Sequence, residues 1–401
     1  MAGQAVILGA GNVGRGFLGQ LFCESGYAVT FVDIDERLIA AFNARGRYAL
    51  RLVDNDHSQE LTVGPVRGLL SGQGGAAIAA LAEATLAATA VGARALPYIA
   101  PLLAGAIARR AQQGIEAPLN VIVCENLRGA ASIFRAMVAE HLDAAAQDYL
   151  AGHIGFVDTV IGRMVPDLSP ALRAEDPSLI IAEPYKELPV DRAGFVGAPP
   201  DLVGMEPCDN FPLYTARKLY LHNAGHAVLG YLGYQRGHAL GYEALADAEV
   251  HAVLAGALDE AQRGIAARYG SSADWLRAHV DDLLRRFGNR VLADPIARLA
   301  RDPLRKLAPE DRLVGAARVA EAVGMVPLNL AWGIASALAY DAPGDALAAE
   351  LQRRIAAEGV EAVLRNMCQI APDESLGEAV LARYGELVRA RAGRATGERG
   401  P

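Results

Sequence analysis

The first part of the chain carries the pattern that most restricts how its 401 residues can fold. A short apolar run at 4–9 leads directly into the motif GAGNVG at 9–14, and a helical pattern follows the motif. A second apolar run, at 28–32, ends at Asp33. A strand, G-x-G-x-x-G, a helix, a second strand and an acid in this order predict the first βαβ unit of a Rossmann-type parallel sheet.

Each glycine of this motif has a physical role in such a unit. Gly9 permits the tight turn after the strand, Gly11 lets a pyrophosphate approach the backbone, and Gly14 lets the helix pack against the strand. The helix N-terminus offers unpaired N–H groups and the positive end of its dipole to the phosphates. The residues expected to bind a dinucleotide are Gly9, Gly11, Asn12, Val13, Gly14, Asp33 and Val91.

Asp33 indicates which dinucleotide the site prefers. It lies 22 residues beyond Gly11, where an acid can bind both hydroxyls of the adenosine ribose and repels a 2′-phosphate. This position favours NAD over NADP. Arg37 is the nearby residue that favours the opposite choice, because its charge can pair with a 2′-phosphate.

Further strand and helix patterns extend the sheet. They predict a helix at 36–45 capped by Asp35, a strand at 86–91, a helix at 93–113, and strands at 119–124, 153–166 and 178–183. The last two strands would form the far edge of the sheet. Val91, Glu125 and Asn126 lie at the C-terminal ends of predicted strands, where doubly wound sheets bind their ligands. For Asn126, a helix N-cap is the alternative.

A stretch rich in proline and glycine at 190–212 separates two kinds of pattern and is typical of a connector. Beyond it helical periodicity prevails, with little strand signal. We therefore expect an α/β, doubly wound Rossmann-type domain at 1–192, a mostly α-helical domain at 193–388, and a frayed tail at 389–401.

Composition argues against several classes of partner. The net charge is −8 and no basic tract is long enough to indicate nucleic acid or an anionic membrane. No apolar run approaches the ~20 residues of a membrane span, and the N-terminus lacks the basic region of a signal peptide. The four cysteines are far apart, which fits a reducing compartment. We expect a cytoplasmic protein, monomeric or weakly homo-oligomeric, that acts on a small molecule.

The stretch at 217–234 is predicted to be a helix with unusual polar residues. Lys218, Asn223 and His226 stand among leucines, valine and alanines, at spacings that predict one face of about 100° of arc. The alternative is a surface lysine, a polar asparagine and a core histidine bonded to a carbonyl. His222 and His226 are four residues apart, a spacing that zinc sites use, but no acid lies between them as in H-E-x-x-H. Zinc is therefore the less favoured interpretation.

Arg305 and Lys306 belong to a run at 301–312 that holds four cations in an otherwise acidic protein. Arginine suits bidentate contact with an anion, and lysine supplies a point charge. The run favours recognition of an anionic substrate group. A solvated loop is the alternative.

These stretches together resemble the polyol-specific long-chain dehydrogenases. The matching segments are GAGNVGRGF at 9–17, ATAVG at 88–92, PLNVIVCEN at 118–126, GFVD at 155–158, RKLYLHNAGHAVLGYLG at 217–233, PLRKL at 303–307 and DRL at 311–313. They occur in the family's order through nearly the whole chain. The resemblance implies NAD-dependent oxidation of a secondary alcohol without a metal, and we expect the substrate to be a hexitol phosphate such as mannitol 1-phosphate.

The same resemblance implies roles for five residues. Lys218 would be the general base, and Asn126 and Asn223 would hold the reacting oxygen. His226 would bind or orient the substrate, and Glu125 would take part in proton movement beside the lysine. A lysine has an ordinary pKa of about 10.4, and burial could lower it to about 7–8, where the amine accepts a proton near neutral pH. Amides can donate hydrogen bonds to the developing alkoxide.

The chain departs from the family pattern at Gly162. The family usually reads D-R-[IM]-x-P shortly after FVD, whereas here Gly162 precedes Arg163. An acid at this place helps to bind substrate hydroxyls in mannitol-oxidising relatives, so its absence leaves the substrate open. A free polyol or a hexonate is the alternative substrate, and a non-catalytic NAD-binding regulator is the alternative function.

Overall fold

The computed structural model describes residues 3–397. The chain divides into two compact units, with the boundary between Phe211 and Pro212. The first unit holds a parallel sheet between two hydrophobic cores, and the second is built from helices. The predicted architecture, a doubly wound α/β domain followed by a mostly helical one, is confirmed.

The strands of the first unit alternate with helices and turns along the chain. The strands are β1 (Gly3–Leu8), β2 (Tyr27–Asp33), β3 (Tyr48–Val53), β4 (Ser58–Val63), β5 (Val66–Leu70), β6 (Leu86–Thr89), β7 (Leu119–Val123), β8 (Ile154–Asp158), β9 (Ile180–Ala182), β10 (Leu188–Asp191) and β11 (Met205–Cys208). The helices are α1 (Gly19–Glu24), α2 (Glu36–Arg45), α3 (Gly74–Glu83), α4 (Leu96–Gln112), α5 (Ala130–Ala139), α6 (Ala144–His153) and α7 (Pro170–Glu175). A π-helical turn (Gly14–Leu18) precedes α1, and 3₁₀ turns lie at Ala93–Ala95 and Arg192–Gly194.

The main sheet has the order β5-β2-β1-β6-β7-β8, and all its neighbouring strands are parallel. This is the strand order of a Rossmann sheet, with its topological switch between β1 and β6. Alternate residues of β1 pack into opposite cores: Ile7 lies in one and Leu8 in the other. Burial on both faces explains why this strand reads as an unbroken apolar run.

The far edge of the sheet differs from the prediction. The predicted strand at 153–166 ends at Asp158, and β9 pairs with β3 in a separate sheet of order β4-β3-β9. Residues 159–179, which we call the strap, therefore leave the sheet. They do so because the Arg163 guanidinium donates to the Gly16 carbonyl at 2.8 Å and to the Gln20 side chain at 2.7 Å, on the π turn and α1.

The domain boundary lies later than the predicted division between 192 and 193. β10 pairs in parallel with β11, and Asn120 of β7 exchanges two hydrogen bonds with the Val196 backbone. These contacts tie the proline- and glycine-rich stretch to the first unit. The stretch is therefore part of that unit's structure and does not act as a connector.

The second unit begins inside α8 (Phe211–Arg217), at its second residue. A π-helical turn (Lys218–Asn223) and α9 (Ala224–Arg236) follow. The helices that follow are α10 (Gly241–Ala246), α11 (Ala248–Tyr269), α12 (Ala273–Phe287), α13 (Ile296–Ala300), α14 (Pro303–Lys306), α15 (Val314–Glu321), α16 (Leu328–Leu338), α17 (Ala346–Glu358), α18 (Val360–Asn366) and α19 (Ser375–Gly397). Within residues 3–397, no helix is long and apolar enough to cross a membrane.

The C-terminal segment predicted to be a frayed tail at 389–401 is helical up to Gly397. Arg391 fixes this part of α19, because its guanidinium pairs with Asp341 at 3.0 Å and donates to the Gln235 side chain at 2.9 Å. Residues 398–401 lie outside the described range.

Candidate functional site

The glycine loop has the geometry that the motif predicts. Gly9 has a φ of +100°, and a Cβ there would lie 2.4 Å from the Ala90 carbonyl oxygen across the switch point. A Cβ on Gly14 would lie 2.1 Å from the Gly9 carbonyl oxygen. A Cβ on Gly11 would meet no atom within 4 Å. Two glycines are therefore needed for packing, and the third leaves open space where a diphosphate could approach the backbone.

The helix after this loop opens with a π turn. The Gly19 N–H donates to the Gly14 carbonyl, five residues earlier, so the Arg15 carbonyl lacks the partner it would have in an α-helix. The Tyr48 hydroxyl donates to that carbonyl at 2.6 Å. Gly19 is needed here, because a Cβ on it would lie 2.4 Å from the Tyr48 hydroxyl.

Asp33 and Glu125 each tie two strand ends together. Both oxygens of the Asp33 carboxylate accept backbone N–H groups, from Ala10 at 2.6 Å and from Ile34 at 2.7 Å. Glu125 accepts the Val91 N–H at 3.0 Å. Burial raises the pKa of Glu125, although the Val91 hydrogen bond opposes the shift. A carboxyl with a raised pKa can exchange a proton closer to neutral pH.

Asn126 lies next to Glu125 and is exposed. The following helix, α5, begins at Ala130, and its N-cap residue is Gly129. The interpretation of Asn126 as a helix N-cap is therefore wrong. Its amide makes no hydrogen bond within the described part of the chain, so the amide remains free to bind a ligand.

A cavity of about 300 Å³ opens beside the glycine loop. One wall comes from the loop and the start of α2, and the other from the strap and β9. Its lining residues are Gly11, Asn12, Arg15, Asp35, Arg37, Leu168, Arg173, Pro177, Leu179 and Ile180. Arg15 and Arg173 were not predicted from the sequence. Arg15 lies inside the matching segment GAGNVGRGF, whereas no pattern marked Arg173.

In the second unit, a π turn decides how the predicted catalytic residues align. Lys218 and Asn223 are its first and last residues, and the Ala224 N–H donates to the Leu219 carbonyl, five residues earlier. In a regular α-helix, residues five apart are separated by about 140° of arc, so the predicted 100° face does not hold for an α-helix. The π turn brings them closer, because its hydrogen bonds place residues five apart above one another.

Lys218 lies near His226 in the structure. His226 is partly buried and its ring stacks on Phe287, with centroids 4.1 Å apart. Burial lowers the pKa of His226 well below its usual value, and repulsion from Lys218 is the next cause. His226 is thus neutral near pH 7 and can offer a hydrogen bond without a charge. The Asn223 side chain does not cap α9 and makes no hydrogen bond within residues 3–397.

Two basic residues near Lys218 were not anticipated. The buried Arg217 guanidinium lies 4.9 Å from the Tyr214 ring centroid and 4.5 Å from that of Trp275. The buried Nε2 of His279 has no hydrogen-bond partner in the described part of the chain, and burial lowers the pKa of His279 to about 2. Arg217 opens the matching segment at 217–233, whereas no periodic or motif signal distinguished His279 in the sequence.

Among residues 3–397, no group of three side chains with suitable metal-ligand spacing includes His222 or His226. Burial also lowers the pKa of His222, whose ring meets that of His226 edge-on with centroids 4.8 Å apart. Among the described residues, the group with suitable ligand spacing is Asp54, Asp56 and His57, near the β3–β4 turn.

Arg305 and Lys306 have different environments. Arg305 is exposed and pairs with Asp302 at 3.3 Å. Lys306 is buried; its ammonium donates to the Leu299 carbonyl in α13 and lies 5.4 Å from the Tyr231 ring centroid. Burial lowers the pKa of Lys306 to about 7. Lys306 therefore binds the end of a helix, and of the two residues only Arg305 presents its charge at the surface.

At Gly162, where the family pattern has an acid, the space beside the backbone is occupied by the ring of Tyr185. A Cβ on Gly162 would lie 2.7 Å from Cε1 of Tyr185. The Tyr185 hydroxyl donates to the Glu187 carboxylate at 2.7 Å. Glycine at 162 therefore makes room for the tyrosine ring.

Comparison with known families accounts for both units. The sequence matches the mannitol dehydrogenase Rossmann domain over residues 3–204 and the mannitol dehydrogenase C-terminal domain over residues 210–388. The chain belongs to the mannitol dehydrogenase family. The resemblance predicted from the motifs is confirmed, and the two family domains correspond to the two units of the structure.

Within the mannitol dehydrogenase family, two relatives are similar over almost their full length. The mannitol-1-phosphate 5-dehydrogenase of Bacillus licheniformis is 37% identical over 378 residues, which cover 94% of this chain and 98% of the relative. The enzyme of the same name from Bacillus velezensis is 37% identical over 383 residues, which cover 95% and 100%.

Two solved structures share the fold of this chain. Pseudomonas fluorescens mannitol 2-dehydrogenase, in a ternary complex with NAD and D-mannitol, gives a TM-score of 0.76 at 18% identity, covering 96% of this chain and 92% of that one. A D-sorbitol dehydrogenase in substrate-free form gives 0.78 at 19% identity, covering 96% and 93%.

Proposed function

We propose that this protein is an NAD-dependent dehydrogenase of a hexitol phosphate, which interconverts mannitol 1-phosphate and fructose 6-phosphate. The observation that carries the proposal is the 37% identity, over 94% of the chain, to a mannitol-1-phosphate 5-dehydrogenase. We expect the protein to work in the cytoplasm, as a monomer or a weak homo-oligomer.

The cofactor site that we propose is the glycine loop. Gly9, Gly11, Asn12, Val13 and Gly14 would surround the diphosphate, and the open space at Gly11 supports this placement. Asp33 would bind the adenosine ribose, and the backbone around Val91 would line the nicotinamide side. A carboxylate at the end of β2 favours NAD, because it repels the 2′-phosphate of NADP.

The chemistry follows from the residue types present. When bound, NAD supplies the nicotinamide carbon that accepts a hydride from the carbinol carbon. Lys218 would take the hydroxyl proton, so that the alcohol loses one hydride and one proton and becomes a ketone. Asn126 and Asn223 would donate hydrogen bonds to the oxygen as negative charge develops on it. The side-chain amides of both asparagines make no hydrogen bond within residues 3–397, which supports this role.

Two further residues would assist the base and the substrate. Glu125, with its raised pKa, would take up or return the proton that Lys218 exchanges. His226, neutral and held against Phe287, would orient a substrate hydroxyl. No step needs a metal ion, because lysine and the amides supply the base and the oxyanion donors.

The substrate phosphate would be bound by Arg305, with Lys306 as the second predicted contact. The exposed guanidinium of Arg305 can exchange its partner Asp302 for a phosphate. Lys306 would need to leave the Leu299 carbonyl for a direct contact, so Arg305 is the stronger candidate.

The proposal is tested by measuring NADH formation with a panel of substrates: mannitol 1-phosphate, mannitol, arabinitol, sorbitol 6-phosphate and hexonates. We expect mannitol 1-phosphate to have the highest kcat/KM. Equal or higher kcat/KM for free mannitol would reject the phosphate and favour a free polyol. NADH binding without turnover of any of them would favour a non-catalytic regulator.

A further inference from the structure

The cavity beside the glycine loop is unusually cationic for an acidic protein. Three arginines line it, Arg15, Arg37 and Arg173, against the single acid Asp35. The chain as a whole carries a net charge of −8. This local excess of positive charge indicates that the cavity receives an anionic group.

Arg15 links the two walls of the cavity by hydrogen bonds. Its Nε donates to the Ala10 carbonyl at 2.6 Å, and its Nη1 donates to the Pro177 carbonyl at 2.7 Å. The first contact is in the glycine loop and the second is in the strap. Arg15 is therefore a positioning residue, and its guanidinium has little capacity left for a ligand.

Arg173 occupies the strap wall at the phosphate end of the cavity. Its Nη2 lies 3.7 Å from Asp167, whose carboxylate accepts the Asn12 side-chain N–H at 2.9 Å. Repulsion from Arg173 is also among the causes that lower the pKa of Arg15. Both relationships place Arg173 beside the first turn after the glycine loop, whereas Arg37 lies in the first turn of α2, at the ribose end.

The partner of Arg173 is weakly held. The Arg173 and Asp167 side chains are 58% and 70% exposed, and an exposed pair at 3.7 Å contributes little stability. A phosphate can therefore replace Asp167 at low cost, and bidentate contact with a phosphate suits the guanidinium.

We propose that Arg173 binds the diphosphate of the dinucleotide, as a cofactor-binding residue that the strap supplies opposite the glycine loop. The inference rests on the cofactor placement proposed above. The strap is thus the second half of the phosphate site. It is anchored to the first half by the Asn12–Asp167 and Arg15–Pro177 hydrogen bonds.

The test measures binding without turnover, by fluorescence titration of NADH and by displacement with ADP-ribose, which carries the diphosphate but no nicotinamide. Arg173→Met should raise both dissociation constants about tenfold, as loss of one charged hydrogen bond implies. The rise should shrink at high salt, because salt screens an exposed contact. Unchanged constants for both ligands would overturn the proposal.

Two further variants separate the possible causes. Arg45→Met removes another exposed arginine that pairs with the strap, at Asp176 and 2.8 Å, but lies outside the cavity. It should leave both constants unchanged; an equal rise would show that strap structure, not the Arg173 contact, is responsible. Gly11→Val places its Cβ where no protein atom lies within 4 Å and should abolish NADH binding. If Gly11→Val binds NADH normally, the cofactor placement itself is wrong.

Discussion

The Ala10 backbone N–H donates a 2.6 Å hydrogen bond to Oδ2 of Asp33. The acid at the end of β2 therefore holds the glycine loop in addition to its proposed contact with the ribose. A change at this acid should alter both the order of the loop and the choice of cofactor.

Asp33→Ala should lower kcat/KM for NAD while lowering that for NADP less or raising it. Loss of the hydrogen-bond acceptor for the glycine loop weakens the binding of both dinucleotides. Loss of the negative charge also removes the repulsion of the 2′-phosphate, which only NADP carries. Steady-state kinetics with both cofactors measure the ratio. Glu36→Ala, which removes an exposed acid nearby, is the control and should keep the NAD preference. Comparable kcat/KM for the two cofactors in the unmutated protein would contradict the prediction.

Lys218→Ala should lower kcat by about 10²–10⁴-fold, the usual contribution of a general base. The dissociation constant for NADH should change little. Lys186→Ala is a matched control, because that lysine pairs with Glu24 at the surface at 2.7 Å.

Activity of the unmutated protein should survive EDTA. Loss on chelation, restored by zinc, would instead favour a metal role for His222 and His226.

Arg305→Ala should raise KM for mannitol 1-phosphate by about tenfold to a hundredfold, as expected for loss of a charge-assisted contact with phosphate. KM for a free polyol should change little. Arg301→Ala removes another exposed cation from the same segment and serves as the control. An equal rise for both substrates would show that Arg305 supports the site without contacting phosphate.

Lys306 should make the free energy of unfolding depend on pH. Its pKa is lowered from 10.5 to about 7 in the folded protein, so between these values the unfolded chain binds more protons than the folded one. Its contribution to the free energy of unfolding is therefore least favourable below pH 7 and becomes more favourable as pH rises from about 7 to about 10.5.

Urea unfolding of the unmutated protein and of Lys306→Met over pH 6–10 tests this sign. The unmutated protein should gain stability relative to the variant as pH rises. The chain has three lysines, Lys186, Lys218 and Lys306, so NMR of ¹³C-dimethylated lysines can follow each titration. A Lys306 signal that titrates near its ordinary value would refute the prediction.

Gly162→Asp should destabilise the first unit by about 1–3 kcal/mol, the usual cost of overpacking, because its Cβ would meet the Tyr185 ring at 2.7 Å. Tyr185→Ala in the same chain should restore most of the loss. Gly152→Asp is the control, since a Cβ there meets no atom within 4 Å. Urea unfolding measures all three. Undiminished stability of Gly162→Asp alone would show that the ring moves aside freely.

The sequence predicted those elements whose signals are local. The glycine loop, β1 and the helix capped by Asp35 lie where the pattern indicated, and α2 has the predicted bounds, 36–45. β9 was assigned to the wrong sheet, because its pairing with β3 joins segments far apart in the chain. The domain boundary was misplaced for the same reason, since β10 and β11 form a sheet that composition does not reveal.

Within the candidate site, residue types could be predicted better than their environments. Lys218, Asn223 and His226 were selected by type and spacing, but a periodicity of 3.6 cannot describe a π turn. Lys306 was selected for its charge, and burial against the Leu299 carbonyl has no sequence signature. Arg173 carries no motif, because its relation to the glycine loop depends on the path of the strap.

The π turn at Lys218–Asn223 means that the alignment of the second unit's polar residues depends on chain length as well as on residue identity. A π turn contains one residue more than an α-helical turn needs. Deleting any one residue between Lys218 and Asn223 would allow an unbroken α-helix, with every apolar residue beyond the deletion still in its place. Residues five apart across the π turn would become four apart in the α-helix, and both spacings place side chains nearly above one another. A deletion at this place should therefore keep the alignment, whereas a deletion within α9 would rotate the residues on its two sides by about 100° relative to each other. The same one-residue change should thus be tolerated inside the π turn and be damaging beyond it.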